Sequence, residues 1–142
     1  MCGLAGIYNS NLSAECMASF AQKLVKQMRH RGPDGDGFEI FQNQQGSKKT
    51  LFVHNRLSIL DTSDDARQPM MSHCGRFAVN FNGAIYNFKE LRQLLSSKGH
   101  TFKSSSDTEV IVQSFVEWGI KCFSKFVGMW ALAIIDVEKN FL

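Results

Sequence analysis

Residues 1–7 read Met1-Cys2-Gly3-Leu4-Ala5-Gly6-Ile7, and the role of Cys2 in this stretch decides the fold. A short apolar run that ends at Asn9-Ser10-Asn11 predicts a buried strand over residues 3–8. In such a strand a cysteine can serve as a small hydrophobe. Cys2 has a second use. If Met1 is removed, it carries a thiol and a free α-amine on adjacent carbons. A thiol of ordinary pKa, about 8.5, needs a base before it attacks a carbonyl. An α-amine of pKa about 7.7–8.0 is partly neutral at pH 7 and can take that proton. Only a terminal cysteine has this option, because an internal nitrogen is an amide.

The remaining chain predicts an α+β fold. Ser13 caps a helix from about 14 to 29, with Met17, Phe20, Ala21, Leu24 and Met28 on one face. Gly32-Pro33 stops it, and Asp34-Gly35-Asp36-Gly37 reads as a loop. Strands are expected at Phe38–Phe41 and Thr50–His54 around a polar hairpin turn, Gln42 to Lys49. A helix-poor loop from Asp61 to Pro69 precedes a strand at Arg76–Asn82. Asn87 to Glu90 has the form of a capping box opening a helix to Ser97, with Leu91, Leu94 and Leu95 inward. Ser106 to Glu109 repeats that logic for a helix to Trp118. A short helix at 120–126, a strand at Met129–Asp136 and a new strand starting near Asn140 complete the pattern. Strands at the start, middle and end with helices between imply antiparallel sheets covered by helices.

Composition removes several function classes. Hydrophobic residues make up 44% and charged residues 20%, as expected of a globular domain. Sixteen basic against thirteen acidic residues leave a net charge of +3, with no basic stripe for nucleic acid. No run is long enough to cross a membrane. Cys2, Cys16, Cys74 and Cys122 form no CxxC pair and the histidines are scattered, so no metal site is expected. The first apolar stretch lacks the basic flank of a leader, which points to free thiols in a cytoplasmic setting.

Six stretches taken together carry a resemblance: MCGLAGI (1–7), RHRGPDGDG (29–37), HNRLSILD (54–61), NGAIYN (82–87), SDTEV (106–110) and FVGMWALAIID (126–136). They resemble the class II glutamine amidotransferase domain of glutamine-hydrolysing asparagine synthetases, over essentially all of residues 2–142. The resemblance implies an N-terminal-nucleophile hydrolase, an αββα sandwich of antiparallel sheets. It implies that Cys2 forms a γ-glutamyl thioester and expels ammonia. Asn82, by its side chain, and Gly83, by its N–H, would form the oxyanion hole. Arg56 would clamp the glutamine α-carboxylate, Asp107 would receive the α-ammonium, and the backbone of Leu57, Ser58, Ile59 and Leu60 would line the pocket. Arg31 would anchor Cys2, and the RGPDG stretch would shape the active-site loop.

Plainer readings stand beside these. Asp107 at a helix start also suits the helix dipole. Asn82-Gly83 is also a hairpin-turn signal, and Arg56 would serve equally as a surface residue. The other cysteines read as bystanders.

Two departures from the family pattern matter. An acidic residue usually follows the asparagine-glycine pair, where this chain has Ala84. Weaker glutamine binding with intact chemistry is expected. The family domain also continues past the equivalent of Leu142 into a synthetase domain, so the chain reads as a C-terminally truncated fragment. The glutaminase step is expected to need no cofactor; ATP and Mg²⁺ belong to the synthetase domain. Partners that follow are glutamine, that domain and, at most, a second copy in a homodimer. The acceptor would be aspartate. Another carboxylate, such as a sugar acid in surface-polysaccharide synthesis, and an inactive remnant stay open as alternatives.

Overall fold

Strand β3 (Lys49–Arg56) organises the architecture, because its alternate side chains enter two different cores. The computed structural model describes residues 1–43 and 46–142. In it β3 is the middle strand of a sheet ordered β1-β3-β2, with β1 at Gly3–Ser10 and β2 at Gly35–Gln42, both antiparallel to it. Leu51 and Val53 point outward onto helix α1 (Ala14–Met28), where they pack on fully buried Met17 and Ala21. Phe52 points the other way and meets Phe41, Ala78 and Ile135 in a second core.

Ala78 and Ile135 belong to a second antiparallel sheet, ordered β4-β5-β6. Its strands are β4 (Met70–Met71), β5 (Phe77–Ile85) and β6 (Gly128–Asp136). The outer face of β5 carries Val79 and Phe81 into a third core with Leu91 and Leu95 of α2 (Phe88–Ser97) and Val110 and Ile111 of α3 (Asp107–Trp118). Three apolar layers thus separate four layers of structure, α1, first sheet, second sheet, α2 with α3. This is the expected αββα sandwich.

Polar groups fasten the two sheets where the strands approach the site. Asn80 Nδ2 donates to Val53 O at 2.9 Å, and His54 Nε2 donates to Phe81 O at 3.2 Å. His54 has no solvent exposure, and among the described residues its Nδ1 has no partner. Burial pushes the imidazole down to about 4 from its ordinary 6.5, against the opposing pull of the Phe81 carbonyl, so the ring is neutral.

Several expectations are corrected. Gly35 to Gly37 form the start of β2, paired with Arg56, Asn55 and His54, where a loop is expected. Gly37 is glycine because the Gln68 carbonyl lies against it and leaves no room for a Cβ. Asn82-Gly83 is not a turn; β5 continues through both, opposite Ala131 and Trp130. The Asn87 side chain makes no cap hydrogen bond. Its amide instead stitches α2 to the segment before β6, donating to Lys125 O at 2.9 Å and accepting from Val127 N at 3.0 Å. Phe20 and Leu94 lie at the margins of their helical stripes, 42% and 43% exposed. The 3-10 turn Asp64–Ala66 interrupts the expected loop, and the short strand β4 follows directly after it. The short helix expected at 120–126 is present, as a 3-10 helix over Gly119–Lys125. Asn140 turns the chain back so that Phe141 bridges Asp136 where the new strand is expected to begin. The tip of the hairpin expected over Gln42 to Lys49 lies outside the described residues at 44–45; Asn43 N donates to Lys48 O at 3.0 Å beside it.

Candidate active site

The β1–β3 register places Gly3 opposite Asn55, which brings Cys2 beside the end of β3. Leu57 N–H points at the Cys2 sulfur at 3.4 Å, and the sulfur lies 3.8 Å from Leu57 O. Arg31, just past α1, donates from Nε to Cys2 O at 3.1 Å. The expected anchoring contact is therefore present, as is the loop contact of the RGPDG stretch: Asp34 Oδ2 accepts from Ser58 N at 2.8 Å.

Arg56 ends β3, and the chain then folds around its guanidinium. Nη1 donates to Ser63 O at 2.8 Å, and Nη2 donates to Asp61 O. Two of the five N–H groups of an arginine are thereby used and three remain. Leu57, Ser58, Ile59 and Leu60 form the turn between, with Ile59 and Leu60 exposed.

The second sheet supplies the opposite wall. β5 delivers Asn82, Gly83 and Ala84 in extended conformation. A Cβ at Gly83 would sit 2.6 Å from Trp130 Cα on β6, so only glycine lets the two strands approach here. Asn82 lines the cavity from this wall. Asp107 opens α3 after the Ser106 cap, whose Oγ accepts from Glu109 N at 3.3 Å. Its Oδ2 accepts from Ile85 N at 3.0 Å, which ties the helix start to the end of β5. Desolvation raises the Asp107 pKa above the ordinary carboxylate value, although the Ile85 N–H pulls the other way.

These elements enclose one cavity of about 350 Å³, within the range of small-molecule sites. Cys2, Arg56, Asn82, Gly83, Ala84 and Asp107 line it, as do Leu57, Ser58, Ile59 and Leu60. Every residue expected at the site from the sequence is thus brought to one place. Met1 lines the same cavity, and while it is present the Cys2 nitrogen is an amide. The other cysteines lie elsewhere: Cys16 and Cys74 are exposed, and Cys122 is buried with its thiol pushed up to about 12. Among the described residues no cluster of three His, Cys, Asp or Glu is placed to hold a metal, and no helix is long and apolar enough to cross a membrane.

Three lining or supporting residues were not anticipated as such. Gln68 bridges β5 and α3, with Oε1 accepting from Phe81 N at 2.6 Å and Nε2 donating to Thr108 Oγ1 at 3.3 Å. Asp61 accepts from Ser63 and Ser105, and Glu109, nearly buried, accepts from Lys103, Ser104 and His73. Asp61 followed at two residues by Ser63 is a recognisable Asx-turn signal. The Ser105 contact spans 44 residues and leaves no local trace.

Comparison with known proteins agrees with this geometry. A family model described as a glutamine amidotransferase domain matches residues 1–142. Asparagine synthetase [glutamine-hydrolyzing] 2 of Bacillus subtilis is 39% identical over 99% of this chain and 18% of its own length. A probable asparagine synthetase [glutamine-hydrolyzing] of Schizosaccharomyces pombe is 36% identical over 99% of this chain and 24% of its own length. The chain therefore spans about a fifth of the curated relatives it matches. A glutamine phosphoribosylpyrophosphate amidotransferase structure from B. subtilis superposes with a TM-score of 0.72 at 22% identity, over 94% of this chain and 35% of that one, which establishes the shared fold. The chain belongs to the glutamine amidotransferase domain family.

Proposed function

We propose that this chain is the glutaminase part of a glutamine-dependent asparagine synthetase, hydrolysing glutamine to glutamate and ammonia. The observation that carries this is the convergence of Cys2 from the first sheet with Asn82 and Gly83 from the second in one cavity that also holds Arg56 and Asp107. The relatives named as asparagine synthetases support the choice of enzyme type.

The residues suggest the following chemistry. Removal of Met1 frees the Cys2 α-amine, which takes the thiol proton. Arg56 holds the glutamine α-carboxylate and Asp107 its α-ammonium. The side chain then extends to Cys2, and asparagine, one methylene shorter, falls short. Sulfur bonds to the δ-carbon, and the oxygen that gains charge accepts from the Asn82 amide and Gly83 N–H. Donors so placed are worth about 100- to 1000-fold each in rate. The C–N bond breaks as the protonated Cys2 α-amine passes its proton to the leaving nitrogen, which departs as ammonia. Water then attacks the thioester, releases glutamate and restores the thiol. No cofactor enters these steps.

In the full-length enzyme the ammonia would amidate aspartate with ATP and Mg²⁺ held by the synthetase part, the principal partner. The free cysteines favour a cytoplasmic setting.

Glutamate release from glutamine by the processed chain tests the reading. The wild type is expected to turn over, and Cys2→Ala to lose activity entirely while remaining folded. Equal glutamate release from both would refute it.

A further inference from the structure

The two charged ends of the cavity belong to different layers. Arg56 closes β3 in the first sheet, and Asp107 opens α3 beyond the second. No single element holds them at a fixed spacing. An α-amino acid carries its two charges on one carbon, so its clamp needs that spacing to be set before the ligand arrives.

Asp61 connects the two. Its carbonyl accepts from Arg56 Nη2. Its carboxylate Oδ1 accepts from Ser63 N at 2.8 Å and Ser63 Oγ at 2.6 Å. Its Oδ2 accepts from Ser105 N at 2.7 Å and Ser105 Oγ at 3.0 Å. Ser105 precedes Ser106, the cap of α3, and then Asp107 itself. One residue therefore grips the arginine through its backbone and the start of α3 through its side chain.

We propose that Asp61 is a positioning residue that latches the 57–63 loop to the start of α3 and so fixes Arg56 relative to Asp107. The inference rests on the reading of those two residues as the clamp for the glutamine α-carboxylate and α-ammonium. Both carboxylate oxygens are needed, because donors approach each of them. An asparagine would turn an NH₂ toward one serine and break that side of the latch. The Ser63 hydroxyl and the N–H groups of Ser105 and Ser63 hold the carboxyl far below the usual carboxylate range, so the latch stays ionised at working pH. The neighbouring Asp64 has no such role; it pairs with Arg67 on the surface at 2.9 Å.

The test compares wild type, Asp61→Asn and Asp64→Asn as processed full chains. Amide hydrogen exchange is read at residues 57–63 and 105, and KM and kcat are measured for glutamine. In Asp61→Asn, exchange at both segments is expected to speed up, and KM to rise about 10- to 100-fold, the scale of lost charge-assisted hydrogen bonds. The kcat should change less than about threefold, and Asp64→Asn should match wild type in everything. A purely structural aspartate would lower the fraction of folded protein without this split between KM and kcat. Unchanged exchange at Ser105 would overturn the latch. Faster exchange with unchanged KM would overturn its positioning role. Wild type with no glutaminase activity would instead refute the glutaminase reading, and exchange would still decide the latch.

Discussion

Asp107 shows how a residue can cost the free protein something that the proposed glutamine ammonium would return. Its carboxylate is nearly buried, and desolvation raises its pKa. A group with a raised folded pKa stabilises below its unfolded value, and that contribution is lost as pH rises through the folded value. At neutral pH the free protein therefore carries an ionised carboxylate that an ammonium would relieve. The acid limb of kcat/KM for glutamine should then have two steps. It falls first as the Cys2 α-amine is protonated, near pH about 7.7–8.0. It should steepen again at a pH above the ordinary Asp value of 3.8. Asp107→Asn keeps an oxygen for Ile85 N–H, so it should remain folded, raise KM and lose the second step. A pH–rate profile of both proteins checks this, and a second step that survives in the variant would assign it elsewhere.

Between elements, the contact of β3 with β5 governs the response to acid. His54 donates to Phe81 O and Asn80 to Val53 O across the two sheets, two residues before Arg56 and Asn82 respectively. The His54 imidazole titrates near 6.5 when unfolded and about 4 when folded. Its folded pKa is depressed, so the unfolded chain binds the extra proton first as pH falls. Stability is full above about pH 6.5 and declines toward pH 4, by about 3 kcal/mol from this group. Urea unfolding followed from pH 7 to 4 should show that decline, and it should be shallower in His54→Gln, which retains a donor for Phe81 O. Parallel declines in the two proteins would remove His54 as the cause.

At the scale of the whole molecule, the legible parts were those with local signals. The alternation of Arg76–Asn82, the Ser13 cap and the apolar face around Met17 and Ala21 sufficed for β5 and α1. The site residues were legible only as six stretches together, since Arg56, Asn82-Gly83 and Asp107 each have an ordinary structural reading. What the chain hid was long-range. Gly35 to Gly37 look like a loop until β3 pairs with them, and Asn87 looks like a cap until the segment before β6 claims its amide. Asp61 looks like a turn residue until Ser105 arrives from 44 positions away.

The central claim is that two sheets bring Cys2 and its oxyanion donors into one glutamine pocket. Intact-mass spectrometry of the purified chain, before and after 6-diazo-5-oxo-norleucine, tests it most directly. The account predicts a mass lacking one methionine, then a single covalent adduct that maps to Cys2. A processed chain that takes no adduct, or takes it on Cys16 or Cys74, would contradict it.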